Sequence, residues 1–188
     1  MKDINFFKTK DSLNLKKVSS KKDIGKLDSC DGYYTVSNEK NARSILESLK
    51  GLGRKAIVAL EGSDDAFNRR AVETLKIDYL VSPEGGKKFD RLKQRDSGIN
   101  HVVAKLAKAK GISFVVNFSE ISRLNPKEKA LRLSRVIQNI KICRKAGCSI
   151  KVASFGYSEK DLVSEIGRKS FFSSLGASSL QTRDCCLF

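Results

Sequence analysis

Short apolar runs alternate with amphipathic stretches along most of this chain. The apolar runs predict strands, because strands covered on both faces are nearly continuous in apolar residues. These runs are Ile4–Phe7, Tyr33–Val36, Ala56–Leu60, Tyr79–Ser82, Ile112–Phe118 and Ile150–Ser154. A helical pattern fills each of the last four gaps between them. Such alternation predicts right-handed crossovers and a parallel sheet with the helices outside.

The predicted helices have recognisable ends. Asn125 and Pro126 open the longest one, which reaches Ala146, and Gly147 stops it. The other helices are predicted at Asn41–Leu49, at Phe67–Leu75, in the stretch that ends at Gly111, and at Lys160–Leu175. Residues 8–31 are rich in lysine and show little periodicity. They predict a basic, weakly ordered connection within a single domain that covers residues 1–188.

Residues 84–118 combine a basic loop, a helix and a strand. The loop cations are Lys87, Lys88, Arg91, Lys93 and Arg95. Asp96 or Ser97 is predicted to cap the helix, and Ile99, Val102, Val103 and Leu106 are predicted to be its buried stripe. His101, the one histidine of the chain, falls on the opposite face, beside Lys105 and Lys108. Cations on a loop and on the exposed face of its helix suit a polyanion better than a small substrate.

The net charge supports this interpretation. The chain has 37 Lys and Arg against 21 Asp and Glu, a formal charge of +16. Such an excess raises the local concentration of anionic partners and favours nucleic acid over a merely soluble basic surface. The start of the chain has no signal-peptide layout and no segment is apolar enough for a membrane span, so a cytoplasmic protein is expected.

The five cysteines do not form a recognisable metal site. They are irregularly spaced, and with one histidine they build no zinc pattern. Cys143 and Cys148 are expected to pack near a helix end and a strand start. The final Cys185-Cys-Leu-Phe188 formally fits a prenylation tail, but Cys186 is not aliphatic and the basic residues are spread over the whole chain.

Two segments carry a family resemblance. Arg95-Asp-Ser-Gly-Ile-Asn-His-Val-Val-Ala-Lys-Leu-Ala107 resembles the signature of ribonuclease P protein component 3, and Gln138-Asn-Ile-Lys-Ile-Cys-Arg-Lys-Ala-Gly-Cys-Ser-Ile-Lys-Val-Ala-Ser154 resembles that family's next helix and strand. The resemblance covers about residues 79–177. It implies a barrel-shaped subunit of the ribonucleoprotein that removes the 5′ leader of precursor tRNA.

The resemblance also implies how such a subunit works. The catalyst is the ribonuclease P RNA, which uses Mg²⁺, and no cofactor is expected on the protein. Component 3 pairs with component 2, usually as a two-plus-two assembly, and the pair supports the catalytic domain of the RNA. The RNA-binding residues expected from the basic loop and the matched motif are Arg91, Arg95 and His101, supported by Lys93, Lys87, Lys88 and Lys105. Any one of these lysines taken alone is more simply a solvated surface charge.

The strand and helix pattern is compatible with two architectures, an open doubly wound sheet and a closed barrel. Pattern alone does not choose, and the resemblance favours the barrel. Because about 250 residues is typical of eight βα units, we expect a shortened α/β TIM-like barrel of six or seven parallel strands with some helices missing, the first above all.

Two rival functions also stay open. One is a stand-alone metal-dependent phosphoesterase of the polymerase-and-histidinol-phosphatase type. A single histidine cannot supply its metal cluster, although Glu61, Asp64 and Asp65 follow a strand and carboxylates alone can hold Mg²⁺. Asp64 and Asp65 are first interpreted as acids favoured at a helix start. The other rival is a pure protein-interaction subunit, against which the charge argues.

Overall fold

The computed structural model describes residues 3–24, 30–35, 39–50, 56–86, 88–90 and 95–188. Its strands form one parallel sheet in which they pair in chain order. Within the described ranges the strands are β1 Asp3–Asn5, β2 Ser12–Val18, β3 Gly32–Thr35, β4 Ile57–Glu61, β5 Tyr79–Val81, β6 Ser113–Asn117 and β7 Ile150–Ala153.

Helices occupy the connections between strands and cover the outside of the sheet. In the described part of the chain they are α1 Lys21–Ile24, α2 Glu39–Lys50, α3 Asp65–Thr74, α4 His101–Lys110, α5 Phe118–Arg123, α6 Pro126–Ala146, α7 Glu165–Ser174 and α8 Ser179–Asp184, with a 3-10 turn at Glu159–Asp161. The α6 helix begins and ends as predicted. The Asn125 side chain accepts the Glu128 N–H, and Gly147 ends the helix at a φ of 67°.

The first and last strands meet, so the sheet curls into a nearly closed barrel. The Phe155 N–H donates to the Ile4 carbonyl at 2.8 Å, and the Phe6 N–H donates to the Gly156 carbonyl at 3.0 Å. One carboxylate oxygen of Asp3 accepts hydrogen bonds from the Ser154 N–H at 2.9 Å and from Arg168 on α7 at 2.6 Å. The prediction of a shortened parallel barrel is confirmed, and the open-sheet alternative is wrong.

Two apolar cores lie on the two faces of the strands. In β6, Val115 points into the barrel, where it packs with residues such as Leu15 and Phe155. Its neighbours Phe114 and Val116 point outward and pack under the helices. Successive strand residues face opposite sides, which explains why Ile112–Phe118 is apolar almost throughout.

The connection predicted at 8–31 needs correction. Residues 12–18 form β2, which pairs with β1 through residues 12–14 and with β3 through residues 15–18. Leu13 and Leu15 alternate into the barrel interior, a short period-two signal that the neighbouring lysines obscured. No helix lies between β1 and β2, as expected for the first connection of a shortened barrel.

The start of α4 also differs from the prediction. Asn100, not Asp96 or Ser97, caps the helix: its side chain accepts the N–H groups of Val102 and Val103, each at 3.0 Å. The buried face therefore consists of Val103, Ala104 and Ala107, whereas Val102 is 58% exposed. Ile99 and Val103 are buried and Leu106 packs against the outer core, as predicted, so Val102 is the one residue of the predicted stripe that points away from the core.

The end of the chain departs from a single predicted helix. α7, capped by Ser164, lies within the helix predicted at Lys160–Leu175 but begins later, after the 3-10 turn at Glu159–Asp161, and α8, capped by Ser178, follows beyond the predicted range. The thiols of Cys185 and Cys186 are buried against the outer core. Cys143 and Cys148 pack at the end of α6 and before β7, as expected. In the described ranges no helix is long and apolar enough to cross a membrane.

Candidate nucleic-acid interface

Four of the seven predicted RNA-binding residues lie in the described part of the chain: Lys88, Arg95, His101 and Lys105. The other three, Lys87, Arg91 and Lys93, lie outside the described residues. The four described residues divide into two groups with different surroundings. Lys88 and Arg95 belong to the loop before α4, whereas His101 and Lys105 lie on the helix.

Ion pairs inside the protein hold the loop. The Lys88 ammonium lies 3.1 Å from Asp65 and 3.7 Å from Asp96, and its side chain is fully shielded from solvent. Asp96 also accepts the Phe89 N–H at 3.0 Å. Lys88 is therefore a structural cation, because a shielded ammonium between two carboxylates is not available to an external phosphate.

Arg95 is more accessible. Its guanidinium lies 3.2 Å from Asp90, yet 49% of the side chain is exposed. Asp90 also binds Arg135 of α6 at 3.2 Å. Although burial acts against it, hydrogen bonds from Arg135, the Asp96 N–H and Arg95 hold the pKa of Asp90 below its usual value. Arg95 thus lies at the edge of a fixed ionic network with its outer part free for a ligand.

A basic surface lies on α4 and α6, and we call it the α4–α6 basic face. On α4, its members recur at the helical spacing i, i+4, i+7, and on α6 at i, i+4, so each set shares one side of its helix. All are exposed, and none forms an ion pair with a described residue. The members are His101, Lys105, Lys108, Lys141 and Lys145.

The sequence around this face contains few acids. There is no Asp or Glu from residue 97 to residue 119 or from residue 129 to residue 158. The helices α4 and α6 pack side by side, and the Lys108 ammonium reaches Gly147 at the end of α6, where an added Cβ atom would lie 2.8 Å from it. The cations of the two helices therefore form one continuous surface, and no acidic side chain of the described residues neutralises its charge.

Sequence reasoning identified only part of this face. His101 and Lys105 are among the RNA-binding residues predicted from the sequence, whereas Lys108, Lys141 and Lys145 are not. The absence of acids from α4 and from residues 129–146 of α6 was the available signal. The packing of α4 against α6, which makes the two stripes one surface, is a tertiary feature.

Acidic groups gather at the carboxyl end of the barrel. Arg132 of α6 lies 2.9 Å from Glu120 and 4.0 Å from Glu84. Ser82 donates to Glu120 at 2.9 Å and has a φ of 48°, which non-glycine residues rarely adopt. Glu84 and Glu120 each follow a strand end by three residues, a position that sequence reasoning overlooked.

Burial changes the acid–base properties of this cluster. Burial raises the pKa of Glu84 to about 7, and the nearby Arg132 charge only partly opposes it. Burial also raises the pKa of Glu61, although the Tyr34 hydroxyl donates a hydrogen bond to that carboxylate. Arg132 pairs with Glu120 at 2.9 Å but lies 4.0 Å from Glu84, so its guanidinium leaves the Glu84 carboxylate largely uncompensated.

The three acids considered for Mg²⁺ have separate partners. Asp64 caps α3 by accepting the Phe67 N–H at 2.8 Å, as expected of a helix-start acid. Asp65 pairs with Lys88, and Glu61 pairs with Tyr34. Across the described ranges, no group of three His, Cys, Asp or Glu side chains is arranged to hold a metal ion.

Similar sequences come from archaeal ribonuclease P. The chain is 30% identical to ribonuclease P protein component 3 of Thermococcus gammatolerans over 127 residues, which are 68% of this chain and 56% of that protein. It is 26% identical to component 3 of Methanocaldococcus jannaschii over 137 residues, which are 72% of this chain and 56% of that protein. The chain thus matches about half the length of these relatives. No family model matches the sequence.

Similar structures support the barrel. A chain in the cryo-EM structure of archaeal ribonuclease P with mature tRNA superposes with a TM-score of 0.72 at 21% identity, covering 98% of this chain and 86% of that one. An amidohydrolase superposes with a TM-score of 0.56 at 15% identity, covering 84% of this chain and 40% of that one. At these identities the likeness shows a shared fold.

Proposed function

We propose that this chain, a relative of ribonuclease P protein component 3 as its sequence predicted, is a protein subunit of a ribonuclease P ribonucleoprotein. In this role it binds the ribonuclease P RNA and supports removal of the 5′ leader from precursor tRNA. The observation that carries the proposal is the α4–α6 basic face, whose cations have no acidic partner in the described part of the chain. Sequence similarity to component 3 supports the same role.

The chemistry of the face suits phosphate contacts. Ammonium groups that neutralise RNA phosphates release condensed counterions, so binding gains free energy and becomes sensitive to salt. Such contacts orient a protein on RNA but do not read its sequence. The α4–α6 basic face would therefore position the subunit on the folded RNA, with Arg95 at its edge. Arg91, Lys93 and Lys87 remain predicted contacts outside the described residues.

The chemical step is assigned to the RNA. In the proposed assembly the RNA subunit uses Mg²⁺, and the protein contributes binding and orientation. At the carboxyl end of the barrel, Arg132 pairs with Glu120, so this carboxylate already has an internal partner. Purified protein without RNA is accordingly expected not to cleave precursor tRNA.

The protein partner is proposed to be component 2, in a two-plus-two assembly. This part of the proposal comes from the family resemblance. The sequence places Leu131 and Ile142 of α6 off its buried stripe, and Ile142 packs against the outer core, so it does not by itself require a partner. Co-elution of the two proteins in gel filtration tests the pairing.

The RNA-binding role is tested by removing charge from the face. Lys105, Lys141 and Lys145 are changed together to Ala, and a matched control changes Lys10, Lys76 and Lys160, three exposed lysines elsewhere. Affinity for ribonuclease P RNA is measured across a series of salt concentrations, and cleavage of precursor tRNA is measured in the reconstituted holoenzyme.

We expect the face variant to bind more weakly and to cleave more slowly than the control. Its plot of log K against log salt should be less steep by about 2–3, because each lost phosphate contact removes about 0.7–0.9 from the slope. Thermal melting should be unchanged, since all three lysines are exposed. Equal slopes and equal rates for the two triple variants would disprove the assignment of the RNA-binding face.

A further inference from the structure

Phe89 presents an aromatic ring to solvent on a fixed backbone. The residue is 82% exposed, although burying a phenylalanine side chain away from water normally stabilises a fold. Its N–H is held by Asp96, and its neighbours Lys88 and Asp90 are held by ion pairs to Asp65 and Arg135. The exposed ring is thus carried by a segment that is anchored on both sides.

A cavity of about 310 Å³ opens beside this ring. Its volume lies at the lower end of the range of about 300–1,000 Å³ for small-ligand sites, which leaves room for one planar group. Its wall is mainly polar. The lining residues that matter to the argument are Asp65, Phe89, Arg95, Asp96, Asn100 and Gln138.

The two amides in this wall retain unused hydrogen-bonding atoms. Asn100 uses its side-chain oxygen to cap α4, and Gln138 uses its side-chain nitrogen to bind the Arg95 carbonyl at 2.9 Å. The Asn100 Nδ2 and the Gln138 Oε1 have no partner among the described residues. One is a donor and the other an acceptor, the combination that amide side chains use on the edges of bases.

The charges around the cavity favour a base inside it and a phosphate outside it. Asp65 and Asp96 line the interior, so a phosphate inside would meet two carboxylates. The same carboxylates accept hydrogen bonds from exocyclic amino groups of bases. Arg95 is half exposed at the rim, and His101 follows on the α4–α6 basic face. A nucleotide can therefore place its base inside and its phosphate against Arg95 and His101.

We propose that this cavity binds one unpaired RNA nucleotide, with its base stacked on Phe89 and its amino-bearing edge toward Asp65, Asn100 and Gln138. Unpaired bases are the usual targets of selective RNA recognition, through stacking on an aromatic side chain and hydrogen bonds to the base edge. The proposal rests on the RNA-binding role proposed above and adds a contact that distinguishes unpaired from duplex RNA and amino-bearing bases from uracil.

The experiment measures the affinity of the full chain for three RNA probes: a short oligoadenylate, an oligouridylate of the same length, and a duplex. The variants are Phe89→Ala and Phe89→Tyr. Ile166→Ala is the matched control, since Ile166 is 78% exposed and lies on a different element. The Lys105, Lys141 and Lys145 triple variant reports on the basic face.

We expect wild type to prefer oligoadenylate to oligouridylate. Phe89→Ala should weaken oligoadenylate binding by roughly 5- to 150-fold, the effect of losing one stacked base. Phe89→Tyr should retain the affinity, since it retains the ring, and Ile166→Ala should change nothing. Duplex affinity and the salt dependence should be the same in Phe89→Ala and wild type, because no phosphate contact is removed.

The two proposals fail in different ways. If Phe89→Ala binds oligoadenylate as well as wild type while the triple lysine variant loses affinity for all RNA, the nucleotide site is disproved and the RNA-binding role stands. If wild type binds ribonuclease P RNA but none of the probes, the nucleotide site is disproved and the RNA-binding role stands, whereas binding to neither overturns both proposals. If Phe89→Ala weakens only co-elution with component 2, the ring belongs to a protein interface and the nucleotide site is disproved.

Discussion

Glu84 lies fully buried just beyond β5, and neither of its carboxylate oxygens has a hydrogen-bond partner in the described ranges. The nearest positive charge, on Arg132, lies 4.0 Å away and is closer to Glu120. A buried carboxylate without hydrogen bonds is costly, so the protonated form is favoured. The residue therefore makes the stability of the fold depend on pH.

Replacing Glu84 with Gln should remove part of that dependence. The folded pKa of Glu84 is raised from 4.5 to about 7, so between these values the folded state keeps a proton that the unfolded state has lost. Wild-type stability should consequently fall as pH rises through this window, by an amount on the order of 3 kcal/mol from this residue. Glu84→Gln should lack this fall.

Urea unfolding at pH 4.5 and pH 8 measures the effect, and the exposed Glu159→Gln is the control. The stability of Glu84→Gln relative to wild type should increase from pH 4.5 to pH 8. The stability of Glu159→Gln relative to wild type should not change between these pH values. An equal pH dependence for Glu84→Gln and wild type would show that Glu84 has an ordinary pKa in the folded protein.

At the scale of single residues, cations that look equivalent in the sequence differ in their ion pairs and solvent exposure. Lys88 and Arg95 belong to the same basic loop, yet Lys88 is shielded between Asp65 and Asp96 while Arg95 keeps half of its side chain in solvent. The sequence shows that the loop is basic. It does not show which carboxylates, distant in the chain, neutralise which cation.

At the scale of the element, α4 joins the loop, the proposed nucleotide site and the basic face. Its first turn is fixed by Asn100, which accepts two backbone N–H groups. Its last turn ends at Gly111, where a φ of 71° fits a glycine C-cap. Because the helix contains no acid, the charged side chains on its exposed side are all basic.

Removing the cap should therefore destabilise the fold. Asn100→Ala is expected to lower the free energy of unfolding by about 0.5–2 kcal/mol, the usual cost of losing an N-cap side chain. Asn100→Asp keeps an acceptor oxygen at the positive end of the helix dipole and should retain most of the stability. Urea denaturation of both variants checks this. Equal losses for Ala and Asp would mean that Asn100 does not act as a cap.

At the scale of the whole molecule, barrel closure depends on a contact between distant parts of the chain. Asp3 on β1 and Arg168 on α7 are separated by 165 positions, and their side chains meet at 2.6 Å. Both are largely buried, with 10% and 3% of their side chains exposed. Asp3 also binds the Ser154 N–H, so this one carboxylate links β1, the end of β7 and α7.

Breaking this pair should cost more than breaking a surface pair. Arg168→Met leaves the buried Asp3 carboxylate without its cation and is expected to lower stability by about 3–5 kcal/mol. Arg183→Met removes the exposed pair with Asp184, where the expected cost is about 0–1 kcal/mol. Urea unfolding compares the two.

A double variant distinguishes the stability lost with the ion pair from the stability lost with side-chain packing. Adding Asp3→Asn to Arg168→Met should cost less than the sum of the single changes, because the orphaned charge disappears. Strict additivity, or a loss no greater than that of Arg183→Met, would show that the pair does not hold the barrel closed.

The sequence by itself determined the parts of this protein that depend on neighbouring residues. The apolar runs at β3 to β7, the cap of α6 at Asn125 and the glycine ends of α4 and α6 follow from local periodicity and backbone preference. Those signals, with the family resemblance, were enough for a shortened parallel barrel with a basic central unit. The β2 strand was missed because Leu13 and Leu15 form a weak pattern among lysines.

Only the tertiary structure decided which groups meet. Val102 is exposed and Ala104 buried because α4 packs closely on the sheet. Lys88 is neutralised by Asp65 of α3, and the Lys108 ammonium reaches Gly147 because α4 packs on α6. Burial and ion pairing depend on distances between segments that lie far apart in the chain. The local sequence fixes the residue types, and the folded chain selects which of them remain exposed on the proposed RNA-binding face.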